Sequence, residues 1–225
     1  MAYPNDLLGK AIQVMFTRKA VPHPNPELVL GQHAHDLTVT VYNYTPGRPG
    51  VGGAPPIPPK FTTTGLPPWQ ISFLEYVPGE VTTVRLQRPV LTGPMSGCYL
   101  FRYTVGGPRI AHVGTHDLGP DSPLSVQAKN NWRAYVTQKN ATDVLGVSPA
   151  DFYSPGERGA KQVGRMGGVP EIYGLFEPGG TSYALLMAPM GTDTSPTIRK
   201  LYLVQGIKQM NLLQWSAISA LRTFR

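Results

Sequence analysis

The chain contains one cysteine, Cys98, and a histidine, His112, a short distance downstream. A thiol becomes a nucleophile when it loses its proton, and an imidazole is the usual base that accepts this proton. Cys98 and His112 are therefore a candidate catalytic pair. The alternative interpretation is that Cys98 is a small apolar residue in a buried strand and His112 a core or rim histidine bonded to backbone.

The residues around this pair predict a β-hairpin. The turn Gly106-Gly107-Pro108 is flanked by two runs rich in branched and aromatic residues, Cys98 to Val105 and Arg109 to Thr115, which are its predicted strands. If Thr104 pairs with Pro108, Cys98 and His112 become diagonal neighbours on one face of the hairpin. A simple two-residue turn would instead place them on opposite faces. The Cys–His hypothesis therefore requires the longer loop or a bulge.

Gly97 and Thr92 are two further candidate site residues. Gly97 leaves the backbone before Cys98 without a side chain, so a substrate carbonyl could approach it closely. The backbone amides of Gly97 and Cys98 could donate hydrogen bonds to a developing oxyanion. Thr92 is close enough in sequence to orient His112 through its hydroxyl or its carbonyl, which is the role of the third group in a catalytic triad.

These residues, taken in order, carry a resemblance to a known family. Thr92, the run Met95-Ser96-Gly97-Cys98, the Gly-Gly-Pro turn and His112 resemble the Cys–His glutamine deamidases. That family includes the catalytic domain of cytotoxic necrotizing factor, Burkholderia lethal factor and the chemotaxis deamidase CheD. Met95 stands where the lethal factor has leucine, and the cysteine-to-histidine spacing is slightly longer here. The similarity covers residues 92–116.

The resemblance implies a protein glutamine deamidase, a toxin or effector of bacterial type. Cys98 would be the nucleophile, His112 the base, Thr92 the residue that orients it, and Gly97 and Cys98 the oxyanion donors. The substrate would be another protein, such as a host GTPase or a translation or signalling factor. Transglutamination, in which an amine replaces water, stays open. The resemblance also implies an α+β fold, a single domain built on a sandwich of two mixed β-sheets with peripheral helices.

Two rival functions remain open beside the deamidase. One is a non-catalytic β-sandwich binding or structural protein in which Cys98 is buried. The other is a cysteine peptidase or other acyl hydrolase that uses the same Cys98 and His112 pair. Accessibility of the thiol separates the first rival from the deamidase, and analysis of the product separates the second.

Metal and cofactor sites have little support in the sequence. His33 and His35 would share a strand face, and His112 and His116 have a spacing that binds zinc on helices. Gly114 and the strand pattern argue against a helix there, and no clear third ligand is present. We therefore expect no metal and no organic cofactor.

Hydrophobic patterning predicts the elements that must position the site. Alternation with period two predicts a strand over Leu37 to Tyr44, and Pro78-Gly79 predicts a turn between two strands of a second hairpin. The strands of that hairpin are Gln70 to Val77 and Glu80 to Leu86. Further strands are predicted over Glu171 to Glu177, Thr181 to Ala188 and Ile198 to Gly206.

The clearest helix signal is Ser122-Pro123, a capping residue followed by a proline suited to the first helical position. The apolar face of that helix would be formed by Leu124, Ala128, Trp132, Tyr135 and Val136. Leu8 to Phe16 suggests a short helix. The run Asn211 to Phe224 is compatible with either helix or strand.

Composition favours one globular domain, residues 1–225. The chain is 41% hydrophobic and 15% charged, with 25 Gly and 24 Pro, so its apolar residues suffice for a sizeable core. Pro46 to Pro59 is so rich in Gly and Pro that we expect a long mobile loop.

Charge and hydropathy argue against two classes of partner. The net charge of +7 comes without any nucleic-acid-binding motif, so no nucleic-acid partner is expected. No apolar stretch approaches the ~18 residues of a membrane span, and no secretory signal is visible at the N-terminus. We expect a delivered effector that acts in the cytoplasm of a target cell, or otherwise a cytoplasmic protein.

Overall fold

The protein is mostly β, with two sheets and few helices. A computed structural model describes residues 4–16, 30–31, 34–95, 97–115, 121–160, 169–192 and 199–224. The strands found there are β1 (Lys10–Phe16), β2 (Leu30–Gly31), β3 (Ala34–Thr45), β4 (Lys60–Thr63), β5 (Trp69–Leu74), β6 (Val81–Arg85), β7 (Val90–Met95), β8 (Tyr99–Thr104), β9 (Pro108–Val113), β10 (Thr142–Val147), β11 (Glu171–Phe176), β12 (Ser182–Thr192), β13 (Arg199–Gln209) and β14 (Leu213–Gln214). The α-helices are α1 (Pro123–Gln138), α2 (Pro155–Ala160) and α3 (Trp215–Ala220).

Seven strands form a closed barrel. Their order is β1-β13-β12-β11-β7-β5-β3, and β1 also pairs with β3, which closes the sheet on itself. All neighbours are antiparallel except β5 and β7, which run parallel. β4 extends the barrel by pairing with the end of β3. Closure removes the unpaired edges that an open sheet would present.

The barrel interior is filled by alternate residues of its strands. Leu37, Val39 and Val41 of β3 all point inward and are buried, so the predicted alternation over Leu37 to Tyr44 is confirmed. Residues between them point outward, as the period of a strand requires. The inward residues of β1, β5, β7, β11, β12 and β13 complete this first core.

A separate sheet covers one side of the barrel. Its strand order is β14-β10-β8-β9-β6-β2, antiparallel throughout apart from the two-residue strand β2, which runs parallel to β6. Leu100 and Ile110 on one face of this sheet share a core cluster with Ile172 and Leu186 of the barrel strands. The barrel and the second sheet are therefore joined by a continuous apolar layer.

Helix α1 covers the other face of the second sheet. Ser122 caps it by accepting a hydrogen bond from the amide of Ser125, and Pro123 occupies its first turn, so the predicted N-terminus is confirmed. Trp132 stacks on Phe101 of β8 at a centroid distance of 4.7 Å. The predicted face is wrong at Leu124, which is 42% exposed.

The C-terminal segment docks on α1 and the second sheet. The undecided run 211–224 contains β14, then α3, then a 3-10 turn, Arg222–Phe224. Phe224 is fully buried, and its ring meets Phe101 and Trp215 edge to face. Lys129 of α1 donates a hydrogen bond to the carbonyl of Thr223, which satisfies a buried ammonium group.

The predicted fold class is confirmed only in part. Two sheets with peripheral helices are present, but the described chain is mostly β, and the larger sheet is a closed barrel. The difference begins at the N-terminus, where the predicted short helix over Leu8 to Phe16 is strand β1. β1 is the strand that pairs with both β3 and β13, so its conformation decides whether the sheet closes.

The hairpin predicted across Pro78-Gly79 is also wrong. The turn is present, with Gly79 at φ +80° and the amide of Glu80 bonded to the carbonyl of Val77. The strands on its two sides belong to different sheets, because β5 pairs with β3 and β7 whereas β6 pairs with β9 and β2. The turn therefore carries the chain from the barrel to the second sheet.

The Gly/Pro-rich segment 46–59 forms a hairpin arm between β3 and β4. Arg48 and Ile57 exchange two backbone hydrogen bonds of 2.9 Å, and the arm turns at Gly52 and Gly53, both at positive φ. All residues from Val51 to Lys60 are exposed. The segment between β3 and β4 thus folds back on itself, with the bridge between Arg48 and Ile57 joining its two sides.

Among the described residues, no helix has both the length and the apolar character needed to cross a membrane.

Candidate active site

The β8–β9 hairpin has the register that the Cys–His hypothesis requires. Thr104 pairs with Pro108 and Leu100 pairs with His112, across a three-residue loop that contains two glycines at positive φ. Cys98 directly precedes β8, two residues before Leu100, so it lies diagonally from His112 on the same face. That face looks towards the barrel, where Cys98 and Leu100 join the shared apolar layer.

Thr92 comes from the barrel and reaches His112 across the interface. The Thr92 hydroxyl oxygen lies 2.7 Å from Nδ1 of His112, and both side chains are buried. Thr92 is in β7 and His112 in β9, so this hydrogen bond joins the two sheets. The expected contact of Thr92 with His112 is therefore made by its side-chain hydroxyl.

The other nitrogen of His112 is buried without a hydrogen bond. Nε2 has no partner among the described residues. Burial lowers the pKa of His112 to about 3, because a low-dielectric environment disfavours the imidazolium ion. The ring is therefore neutral at pH 7, and one of its nitrogens is unprotonated. If Nδ1 donates its proton to Thr92, the lone pair is on Nε2.

Cys98 is buried in the same layer. Its side chain is 2% exposed and contacts the hydroxyl of Thr115, which donates a hydrogen bond to Sγ over 3.8 Å. A hydroxyl donor stabilises a thiolate more than a thiol. Thr115 is therefore placed to donate a hydrogen bond to negative charge that develops on Sγ.

Thr115 is held by the turn that joins the two sheets. Its carbonyl accepts a hydrogen bond of 2.6 Å from the phenol of Tyr76, and the Tyr76 ring also lies 5.4 Å from the ring of His112. The preceding residue, Gly114, exchanges backbone hydrogen bonds of 2.8 Å with Gly79 and Glu80. A Cβ at Gly114 would lie 2.2 Å from the carbonyl oxygen of Val77, so only glycine fits there.

Gly97 occupies the position next to the thiol that the oxyanion hypothesis assigns to it. An added Cβ at Gly97 would lie 3.4 Å from the hydroxyl of Thr115, at the near limit of ordinary van der Waals contact. Gly97 is therefore close to the same hydroxyl that contacts Sγ of Cys98. Ser96, the residue before it in the motif, lies outside the described residues.

Tyr76 and Thr115 are two site residues that sequence reasoning missed. Thr115 was visible only as the end of the predicted strand Arg109 to Thr115, and Tyr76 only as part of a predicted strand end. Their contacts depend on how the turn between β5 and β6 meets the end of β9, and no local pattern encodes that meeting. A threonine three residues after the candidate base was the one available signal.

The other candidate residues do not join this site. His35, in β3, bonds through Nε2 to the carboxylate of Glu75, which directly follows β5, over 2.6 Å. His33 and His116 lie outside the described residues. Among the residues that the structure describes, no group of three or more His, Cys, Asp or Glu side chains could hold a metal ion.

Comparison with known proteins gives no match: no protein-family model, no curated protein and no solved structure aligns significantly with this chain. The resemblance to the Cys–His deamidases therefore stays a prediction that depends on the motif residues and their geometry.

Proposed function

We propose that this protein is a protein glutamine deamidase whose nucleophile is Cys98 and whose base is His112. The observation that supports this most strongly is the hydrogen bond between Thr92 and Nδ1 of His112. It engages one ring nitrogen and leaves the other, Nε2, buried without a partner beside the face that carries Cys98. Cys98 and His112 share one face of the β8–β9 hairpin, and Thr92 bonds to His112 from the barrel, which is the arrangement that this assignment of nucleophile, base and orienting group needs.

The proposed reaction has two stages. Nε2 of His112 takes the thiol proton as Sγ of Cys98 attacks the carboxamide carbon of a glutamine, and a C–S bond forms. The amides of Gly97 and Cys98 hold the oxyanion. The C–N bond then breaks, and ammonia leaves with the proton from His112. Water, deprotonated by the same imidazole, hydrolyses the thioester to glutamate and returns the thiol.

The low pKa of His112 determines the resting state of this pair. Because the imidazole of His112 is neutral at neutral pH, transfer of the thiol proton accompanies the attack and does not precede it. The Thr115 hydroxyl, 3.8 Å from Sγ, would stabilise the negative charge as it develops. Tyr76 and Thr115 are therefore positioning residues in this proposal.

We further propose the biological setting that the resemblance implies. The barrel and the second sheet would correspond to the two layers of the family's α+β sandwich. The substrate is a protein, such as a host GTPase or a translation or signalling factor, and the chemistry needs neither a metal nor an organic cofactor. The protein acts as a delivered effector in the cytoplasm of a target cell.

One observation favours a second candidate, a non-catalytic binding protein. Cys98 is 2% exposed and lies in an apolar cluster with Leu100 and Met95. A thiol in that environment is the expected state of a structural cysteine. The two candidates differ in whether a glutamine side chain reaches Sγ.

Peptide mass spectrometry of a host-cell lysate tests the proposal. Lysate treated with the wild-type protein should contain site-specific glutamine-to-glutamate changes, with the chains of the targets uncut. Cys98→Ser and His112→Asn should abolish these changes, since they remove the nucleophile and the base. His35→Asn is the matched control, because it removes a histidine that bonds to Glu75 away from the site. That variant should retain full activity.

The remaining outcomes contradict the proposal in different ways. Cleavage of target chains that depends on Cys98 would indicate a peptidase, and incorporation of amines would indicate a transglutaminase. If wild type and Cys98→Ser give the same peptides across lysates of several host types, the enzyme is excluded and the binding protein is favoured.

A further inference from the structure

The hairpin arm presents a proline-rich ligand to solvent. Pro55, Pro56, Pro58 and Pro59 flank Ile57, which is 62% exposed, and Lys60 follows them. Proline fixes φ near −65° and pushes the residue before it into an extended conformation. The prolines and the two backbone hydrogen bonds of Ile57 to Arg48 therefore hold the segment 54–59 extended, so it loses little conformational entropy on binding.

A cleft on the barrel has the complementary chemistry. Its volume is about 290 Å³, and its lining residues are Pro67, Pro68, Trp69, Gln70, Pro89, Leu175 and Glu177. Trp69 is half-buried and offers an aromatic surface, and Glu177 contributes a carboxylate to the wall of the cleft. Aromatic and proline side chains form the grooves that bind proline-rich segments, and a neighbouring acid selects a basic residue.

The arm cannot reach the cleft of its own molecule. Trp69 pairs with Val39 of β3, whereas Ile57 pairs with Arg48, beyond the far end of the same strand. An extended chain rises ~3.3 Å per residue, so the two pairs lie roughly 30 Å apart along β3 and its continuation. The hydrogen bonds between Arg48 and Ile57 hold Ile57 at this position opposite Arg48.

We propose that the arm of one copy docks into the cleft of a second copy. The prolines of the arm pack on Trp69, and Lys60 pairs with Glu177. The two surfaces differ, so the contact is head-to-tail and forms rings or chains of copies. A cleft of this size buries less than the ~1,200 Å² of a stable interface, so the association is weak and depends on protein concentration. This proposal is independent of the proposed deamidase activity.

Sedimentation velocity over a concentration range that reaches the low millimolar tests the proposal. The wild-type protein should self-associate as its concentration rises. Pro55→Ser combined with Pro58→Ser, Lys60→Glu alone, and Glu177→Lys alone should each weaken association at least tenfold. The double variant Lys60→Glu/Glu177→Lys should restore it, because the charge pair is re-formed with reversed signs.

Lys139→Glu is the matched control. Like Lys60→Glu, it replaces a lysine by a glutamate, here at the exposed residue that follows α1 and far in sequence from both surfaces. This variant should associate as the wild type does. Thermal unfolding followed by circular dichroism confirms that each variant folds. A wild-type chain that stays monomeric throughout the range overturns the proposal. Association that is unchanged by the arm and cleft variants overturns it equally.

Discussion

At the scale of single residues, the hydroxyl of Thr92 is the group that connects the candidate base to the barrel. Thr92→Val keeps the volume of the side chain but leaves Nδ1 of His112 without its partner. An unsatisfied buried polar group costs about 1–3 kcal/mol, so the free energy of unfolding should fall by that amount. Thr92→Ser retains a hydroxyl and should lose less. Urea unfolding measures both variants.

The exposed Thr62 of β4 provides the control for this substitution. Thr62→Val removes a hydroxyl from a surface position and should change the unfolding free energy by less than about 0.5 kcal/mol. Equal effects of Thr92→Val and Thr62→Val would contradict the importance of the buried hydrogen bond.

His112 makes stability depend on pH in a predictable direction. Its pKa is about 3 in the folded protein, below the usual value of 6.5, so between these values the unfolded chain binds more protons than the folded one. Stability contributed by His112 is therefore complete above pH 6.5 and is lost as pH falls towards 3, with a slope of at most about 1.4 kcal/mol per pH unit.

Carboxylates titrate in part of the same pH range, so their effect on the unfolding free energy must be separated from that of His112. His112→Asn and His112→Gln remove the titrating ring, so their unfolding free energies should fall less steeply than that of the wild type between pH 6.5 and 3. Chemical denaturation at several pH values gives the three slopes. If the unfolding free energies of wild type and variants fall with the same slope, the pKa of His112 is not lowered in the folded protein.

At the scale of elements, the turn between β5 and β6 positions the end of β9. Gly114→Ala would place a Cβ 2.2 Å from the carbonyl oxygen of Val77, and a backbone atom cannot rotate away. We expect a loss of about 1–3 kcal/mol in unfolding free energy, as for other overpacked sites. Because Thr115 follows Gly114, the same variant should also disturb the contact with Sγ of Cys98.

Gly179 provides the matched glycine. A Cβ there meets nothing within 4 Å, so Gly179→Ala should leave the unfolding free energy nearly unchanged. Equilibrium denaturation of both variants gives the comparison. A Gly114→Ala protein as stable as Gly179→Ala would show that the turn is free to move away from β9.

The elements also show which features of the fold were predictable from sequence. The β8–β9 hairpin was predictable because Gly106-Gly107-Pro108 marks its turn, but the sequence left two registers open, and the structure has the one in which Thr104 pairs with Pro108. Strand β1 was not, because a short apolar run suits a helix or a strand equally well. Its partners β3 and β13 are distant in sequence, and they decide its conformation.

The candidate site also has one part that local sequence can describe and one part that it cannot. Cys98 and His112 lie on one hairpin, so whether they share a face depends only on its local register, which the structure shows and the sequence left open. The contacts of Tyr76 and Thr115 form where a turn from the barrel meets the end of β9, which depends on the packing of one sheet against another. The predicted hairpin across Pro78-Gly79 failed for this reason, since the turn signal was correct but the destination of each strand is a property of the whole fold.

At the scale of the whole molecule, the barrel and the second sheet share one apolar layer. Leu100 and Ile110 from the sheet are clustered with Ile172, Phe176 and other residues from the barrel. The buried hydrogen bond between Thr92 and His112 crosses the same boundary. Neither sheet can separate without exposing this layer to water, so the two should unfold together.

Two spectroscopic probes report on the two parts. In Trp69→Phe, the remaining tryptophans are Trp132 and Trp215, which pack with Phe101 on the helix side of the second sheet. Tryptophan fluorescence of this variant therefore follows the second sheet, whereas far-ultraviolet circular dichroism follows the strands of both. The two urea transitions should coincide in midpoint and slope. A fluorescence transition at lower urea, with strand signal retained, would show that the barrel is stable alone and that the site at its boundary opens by separation of the sheets.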